Sequence, residues 1–447
     1  MKRSMLIMLA IFVTLPALGQ QTLTLDESKR IALENNARVK NSLLDIDASR
    51  QVRKAALTRY FPSISAGGAK FEADKNLMEI STPGGNLPVY NPSNPMTIFT
   101  TTQFAYMPAS TMGLLKDGTF GEVTAAQPIF AGGRIWNGNR LASLGEDVSE
   151  YKNNVTRNDV LLQTEERYWL VVSLTEKEKT LQRYEALLNS LLTQVEDAYK
   201  SGVVSRNDLL KVRVKRSEVH LNRSKLENGR VLALMSFCQH LGVPYDSTLR
   251  LADTLNVDGS PQEYYVDHES ALKGRSEYRL LDAMVRAEEL QTGMKLGEYL
   301  PEVAVGVTGL YMKLDQAGDR RIGMVFGTVS IPISGWWEAS HTLQERSIKE
   351  EMAVNTRKES SDLLLLQMQK AYRDLIDAYQ QVHLSEEALS QADENLRVNQ
   401  DSYNNGMSTV SDLLEAEAMQ QQSNDHLIEA KADYRKSLVT YLQVTGR

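Results

Sequence analysis

The chain has 447 residues, 24% of them charged, a formal net charge of −7 and one cysteine. An acidic balance offers nucleic acid no basic surface, and one cysteine closes no internal disulfide, so packing or assembly must hold the fold. The six histidines, at 220, 240, 268, 341, 383 and 426, show no metal-ligand spacing; Gly132-Gly133-Arg134 lacks the Lys-Ser/Thr of a phosphate loop; no Ser sits in a G-x-S-x-G. The expectation is a chain with no catalytic residues, no cofactor and no metal.

Residues 1–19 read as a secretory signal peptide. Lys2 and Arg3 open it, Met5–Leu18 is apolar, and Ala17-Leu18-Gly19 is a small-x-small cleavage site. No later stretch approaches about 18 continuous apolar residues, so no transmembrane helix is predicted. Cys238, in helical context, reads as a small buried hydrophobe. A first helix is predicted over about Leu25–Leu57. Tyr60-Phe61-Pro62 ends it, because proline biases its predecessor to extended geometry. A strand follows at about 63–71. Then comes an insertion, Glu72–Thr119, with Pro83, Pro88, Pro92, Pro95 and Pro108. A second strand, about 118–130, is closed by Ala131-Gly132-Gly133. From about Trp136 to Tyr199 proline vanishes, and Leu181, Tyr184, Leu188, Leu191, Val195 and Ala198 follow 4-3 spacing. Ser201-Gly202-Val203-Val204-Ser205 breaks that helix, and a return helix runs to Leu241.

Residues 246–265 connect to a second pass in the same order. A helix is predicted over about His268–Leu296, then Tyr299-Leu300-Pro301, then a strand at about 302–312 in which valines alternate with small residues. After a short loop come a strand at about 321–333, Ser334-Gly335, and a helix over about Glu338–Tyr403. Its positions 364, 368, 371, 375, 378, 382, 385, 389, 392, 396, 399 and 403 form a heptad seam. Helices of roughly 62–66 residues at about 1.5 Å each would be on the order of 95 Å long. The break Asn404-Asn405-Gly406-Met407-Ser408 precedes a return helix to Val444. Glycine is the expected C-cap of each long helix, and Ser205 or Ser408 can cap the helix that follows.

The second pass is a duplicate of the first. Residues 199–242 lie over 403–446 at an offset of 204, with Tyr199 on Tyr403, Gly202 on Gly406, Asp208 on Asp412, Leu234 on Leu438 and Gly242 on Gly446. Upstream the offset is 239, with Tyr60 on Tyr299, Pro62 on Pro301 and Gly67 on Gly306. The two copies span about 22–245 and 266–447, and the 35-residue difference in offset is the insertion. Such repetition sets the architecture.

Two β-hairpins supply only four strands. A closed barrel needs about eight, and an open edge cannot sit in lipid. The helical hairpins likewise leave apolar seams needing partners. Both deficits call for assembly around an axis; two copies would give eight strands and three would give twelve, and spacing permits either. Tyr60, Phe61, Trp136, Tyr299, Trp336 and Trp337 cluster where strands meet helices, as does Phe130. Such rings favour a membrane-water interface and predict one rim of a barrel; the plainer reading is that they pack the strand-helix corner.

The repeated Ala-Leu pair (Ala32-Leu33, Ala271-Leu272), the aromatic-x-Pro before each odd strand, Gln127–Arg134 and the segment Tyr403–Ala416 together resemble the TolC family of outer membrane efflux proteins. Their order and duplication cover nearly the whole mature chain. The resemblance implies a mainly α fold with a small β part. Long antiparallel helical hairpins would build an α-barrel, and four strands per chain a shared 12-stranded β-barrel in a homotrimer. It places the protein in the outer membrane of a Gram-negative bacterium, in contact with outer membrane lipid and extending into the periplasm. It implies the exit duct of a tripartite efflux or type I secretion system. The partners would be a periplasmic membrane-fusion adaptor and an inner-membrane RND or ABC-type pump, and export would be passive.

The resemblance also assigns residues. Gly202, Val203, Val204, Ser205, Gly406, Met407, Ser408 and Thr409 match the tips that dock the adaptor; the plainer reading is a helical turn. Asp412 and Glu415, three apart on one helical face, match an acidic pair at the closed end, where repulsion between copies would raise their pKa values. The plainer reading is a charged first turn. Asp208 occupies Asp412's place in the first copy and Lys211 occupies Glu415's. Tyr403 is retained from the family's tip latch, but its basic partner is replaced by Ser408, with Arg206 as a substitute. Residues 72–117 would be an extracellular loop that partly lids the barrel mouth. The alternative function is a periplasmic coiled-coil adaptor or scaffold. Nothing in the sequence names the substrate or the pump class.

Overall fold

The computed structural model describes residues 22–89, 93, 103–114, 116–257, 259–314 and 318–447; the signal segment at 1–19 and insertion residues 90–92 and 94–102 lie outside these. In chain order the first copy contains β1 (Thr22–Leu23), α1 (Leu25–Asn35), α2 (Ala37–Leu57), β2 (Ser63–Glu72), β3 (Met78–Thr82), β4 (Gly85–Pro88), β5 (Phe104–Met107), β6 (Ser110–Leu114), β7 (Asp117–Ala131), α3 (Arg134–Lys200) and α4 (Arg206–Leu241). The connection holds β8 (Arg250–Leu251) and α5 (Pro261–Tyr264). The second copy contains α6 (His268–Gly274), α7 (Ser276–Gly297), β9 (Glu302–Leu314), β10 (Gly318–Ser330), α8 (Trp336–Asn404) and α9 (Val410–Val444). Among the described residues no helix is long and apolar enough to cross a membrane.

The chain divides into two compact units. One consists of residues 51–144 and 286–351. Its centre is an antiparallel sheet of order β10-β9-β7-β2, so the two copies meet at β7–β9, with β2 and β10 as edges. Pro128 has no N–H for the ladder, and the register slips between Pro128 and Phe130 as a β-bulge absorbs it. Its counterpart Pro332 meets a different solution. The edge strand β10 stops at Ser330, so the strand expected at 321–333 lies three residues earlier, at 318–330. Where β7 turns into α3, Gly132 takes φ +61°, and a Cβ there would lie 2.2 Å from the carbonyl oxygen of Gly297. Only glycine permits that approach. The insertion is not simply a loop. β3 pairs with β6 and β4 with β5, prolonging the β2–β7 hairpin as a two-stranded ribbon.

The other unit consists of Gly145–Val285, Met352–Arg447 and the described part of Met1–Arg50. The helices expected at 25–57 and 268–296 are each broken once, at Asn36 and Arg275, which stand 239 apart like the rest of the repeat. Both take extended ψ, 129° and 140°. Asn36 then caps α2, accepting the Arg38 N–H at 2.8 Å, and donates its amide to the His240 carbonyl at 2.7 Å. Arg275 forks onto Glu277 at 3.1 and 2.6 Å. No proline or glycine announces the break at Asn36, whereas Gly274 directly precedes the one at Arg275. β1 pairs in parallel with β8, tying the start of the first copy to the connection.

Three apolar clusters hold this unit. Tyr168, Trp169, Phe237 and Leu241 centre one, and Met368, Leu375, Tyr434 and Tyr441 centre its repeat equivalent. The third gathers Leu188, Leu191, Val195, Leu209 and Val212 with Val410 and Leu413. All twelve heptad positions of α8 from 364 to 403 are buried or half-buried, because 4-3 spacing keeps them on one stripe. Cys238 is buried in the first cluster, and burial pushes its thiol up.

Candidate functional site

Each hairpin reverses within five residues, and both do it the same way. In the first tip Gly202 takes φ +77°; the Val203 N–H donates to the Ala198 carbonyl (2.9 Å) and the Gly202 N–H to Tyr199 (3.0 Å). In the second, Gly406 takes φ +73°; Met407 donates to Ser402 (2.8 Å) and Gly406 to Tyr403 (3.0 Å). These crossed bonds end a helix on a left-handed residue. The next helix opens with a reciprocal cap. Ser205 Oγ accepts the Asp208 N–H, and the Asp208 carboxylate accepts the Ser205 N–H (3.3 Å) and hydroxyl (2.7 Å). Thr409 and Asp412 repeat the arrangement at 2.9 and 2.7 Å. The second cap is therefore Thr409 and not Ser408, whose hydroxyl reaches Asp412 at only 3.4 Å. Val203 and Met407 stand exposed at the crests, whereas Val204 packs on the cluster below.

The acidic pair divides in two. Within the single chain, the hydroxyl and amide of Thr409 hold the Asp412 carboxyl below the usual carboxylate range. Its oxygen is committed to the cap. Glu415, one turn on, is exposed. Lys211, at Glu415's place in the first copy, lies 3.7 Å from Asp208 and donates to Ser411 Oγ at 2.6 Å. Tyr403 is half-buried against the tip cluster, where burial and nearby Asp208 push its phenol up. The fold thus brings Tyr403, Asp208, Lys211, Ser411 and Asp412 together across the two tips. Sequence reasoning missed the Lys211–Ser411 bond; the only signal was a lysine opposite a glutamate in the repeat.

A second residue escaped it. Glu417 of α9 is 1% exposed, and neither carboxylate oxygen has a hydrogen-bond partner. It falls four residues after Leu413 and three after Leu414, both buried, and so occupies a core position of the seam. Burial pushes its carboxyl up to about 7.

In the sheet unit, register decides what each face carries. Ile64, Val123, Ala125, Val303, Val305, Val307, Val325 and Val329 fall on one face, since directly paired residues share a side. That face is uncovered in the single chain: Val325 is 84% exposed. The opposite face carries Ser65, Glu122, Thr124, Thr308 and Thr328 along with Leu310, Ile322, Met324 and Phe326, and the hydroxyls of Thr124 and Thr308 meet at 2.7 Å. Of the predicted rim aromatics, Tyr60, Phe61, Trp136, Trp336 and Trp337 are exposed, Trp337 at 81%. Arg140 lies over the Trp136 ring at 4.5 Å. Tyr299 is the exception, at 7% exposure. Its carbonyl accepts the Trp336 indole N–H at 2.9 Å and its hydroxyl donates to Glu338 at 3.4 Å. It packs the corner and is no rim residue in this chain. Among the described residues no cluster of His, Cys, Asp or Glu could hold a metal ion.

Residues 270–447 match the family model described as outer membrane efflux protein. No curated protein sequence matches. Among solved structures, the chain is similar to the Campylobacter jejuni CmeC outer membrane channel (TM-score 0.75, 14% identity, 94% of this chain and 85% of that one). It is also similar to the outer membrane protein VceC of Vibrio cholerae (0.71, 13%, 94% and 96%) and to the open state of the Neisseria gonorrhoeae MtrE outer membrane channel (0.73, 14%, 94% and 88%). At such identities the likeness shows the fold. Residues 270–447 thus carry the outer membrane efflux protein signature, on a TolC-like channel fold that extends over nearly the whole chain.

Proposed function

We propose that the chain is one protomer of a homotrimeric outer membrane channel that gives substrates a passive exit from the periplasm. The observation that carries this reading is the sheet. It has two free edges, one face of valine and isoleucine open to the surroundings, and one face where hydroxyl and carboxyl groups stand among Leu310, Ile322, Met324 and Phe326. An open edge costs several kcal/mol per unmet backbone group in lipid, so the sheet needs copies on both sides. Two copies would close eight strands around a lumen filled by side chains; three close twelve and leave a water channel. The apolar face then meets outer membrane lipid, the exposed aromatics sit at its rim, and the hydroxyl face lines the passage. The β3–β6 ribbon stands at the outer mouth and narrows it.

The helical hairpins reach into the periplasm. Their crests, Gly202–Ser205 and Gly406–Thr409, are the surface for a membrane-fusion adaptor, which links the duct to an inner-membrane pump. Glu415, free of the cap, forms the acidic ring at the closed end with Asp412 behind it. Lys211 takes the place of the family's basic latch by holding Ser411. This reading has no step in which a bond is made or broken, and so no catalytic residue.

The test is reconstitution. Detergent-extracted protein should cross-link as three chains and give discrete conductance steps in a planar bilayer. Glu415→Gln should weaken block by divalent cations several-fold, whereas Asp412→Asn should act mainly on tip stability. A protein released by osmotic shock as a soluble coiled coil, without conductance, would instead support the scaffold reading.

A further inference from the structure

Glu417 is the one acidic side chain of the α9 seam set wholly into apolar packing without a partner. Its position is a core position: Leu413 and Leu414 lie one turn before it on the same face. The elements packed against this stretch keep their charges in the groove beside it and pair none with its carboxylate. From α3 the facing group is the Tyr184 hydroxyl, itself buried and without a hydrogen bond. From α4 comes Glu218, which acts on the same hydroxyl and is paired with Lys215 at 3.2 Å. From α8 the residues reaching the cluster are Leu396 and Tyr403. On α9 itself, Gln421 donates to Thr180 of α3 at 3.4 Å. Among the described residues no cation pairs with Glu417 where it is buried, and an isolated buried carboxylate is strongly disfavoured. A groove of about 610 Å³ opens beside it between α3, α4 and α9; Tyr184, Val219, Ala418 and Gln421 line it together with Lys177, Lys215, Lys225, Glu218 and Asp425, so a carboxylate that turned into it would meet lysines. Ala418 and Gln421, on the same turn as the carboxyl, already border that space.

We infer that Glu417 couples the seating of α9 on the α3–α4 hairpin to proton concentration. Neutral, it fits among Leu413, Leu414 and Tyr184 and lets the helices close; ionised, it turns toward the groove and loosens α9 beside the second tip. The chemistry is a single proton exchanged with water. The inference rests on the channel reading for its consequence at the tip, but not for its measurement. Burial raises the carboxyl's pKa, so the folded state holds the proton more tightly than the unfolded chain does. Stability is then greatest below the ordinary glutamate range and falls as pH rises to about 7, where the folded carboxyl ionises.

The experiment uses the full assembled protein with Cys238→Ala and nitroxide labels at exposed Gln194 on α3 and Met419 on α9. Between pH 5.5 and 8.5 the label distance should gain a longer component, and the thermal midpoint should drop. Glu417→Gln should keep the short distance throughout and flatten the midpoint's pH dependence. An infrared carboxylic-acid band present at pH 5.5, lost at pH 8.5 and absent from the variant supports the assignment without requiring the variant to be stable. A distance unchanged with pH, or a variant that opens as the parent does, overturns it. Neither readout needs conduction: a conducting channel with a fixed distance sinks this inference alone, and a pH-dependent distance without conductance sinks the channel reading alone.

Discussion

The two hairpin tips share their backbone and differ in their charges. Gly202 and Gly406 take the same left-handed angle, and Ser205–Asp208 and Thr409–Asp412 form the same reciprocal cap. Three residues on, the copies part. Lys211 reaches across to Ser411, while its counterpart Glu415 stays in water. At the next core position the first copy has Arg213, paired in the open with Glu196 at 3.0 Å, and the second has buried Glu417. Duplication fixed the geometry of a reversal, which depends on a glycine and a hydroxyl. It left free the side chains that decide how one tip treats the other.

That comparison can be broken at several strengths. The largest effect should come from the equivalent core rings: Phe237→Ala and Tyr441→Ala should each cost about 3–5 kcal/mol, measured by urea unfolding. Similar costs would mean the copies carry equal weight, and a difference above about 2 kcal/mol would mean one copy dominates. Next, Gly202→Ala and Gly406→Ala each force a Cβ into left-handed backbone, a loss of about 1–2 kcal/mol, and the two tips should respond alike. The caps come third. Ser205→Ala and Thr409→Ala should each cost about 1 kcal/mol, read as faster amide exchange in the first turns of α4 and α9; Ser408→Ala should leave exchange unchanged. The smallest effect sharpens the contrast. Lys211→Met removes one exposed bond, about 0.2–1 kcal/mol, and should speed exchange at both tips, whereas Glu415→Met should leave the first tip untouched.

Much of this was legible because it is periodic. Residue type at 4-3 spacing announced the buried stripe of α8, and alternation announced β9. The helix break at Asn36 was hidden, since asparagine does not forbid a helix and its partner, the His240 carbonyl, lies 204 residues away; at Arg275 the fork falls on nearby Glu277, just after Gly274. The insertion read as loop because its prolines and glycines masked two short ladders that depend on pairing with strands well beyond the reach of a tight turn. Tyr299 read as one of a set of rim rings, but burial at the corner is set by Trp336 and Glu338, which no local pattern reveals. At the tips, the turn was legible to within one residue of its cap. Glu417 was not legible, because a glutamate in Leu-Leu-Glu-Ala-Glu looks like any other surface acid until the facing helices are in place.

The pairing of β7 with β9 has a consequence for how the chain acquires its structure. Thr124 and Thr308, whose hydroxyls touch, are 184 residues apart, whereas each helical reversal closes over five. Contacts between near neighbours form fast and distant strand pairings slowly. The hairpins can therefore form as each copy leaves the export machinery, and β2 can pair with β7, but the other edge of β7 must wait for β9 of the second copy, its ladder groups uncovered meanwhile. In refolding, helical circular dichroism should recover well before strand amides are protected. In the cell, that interval is when the chain most needs a holdase that shields extended apolar segments.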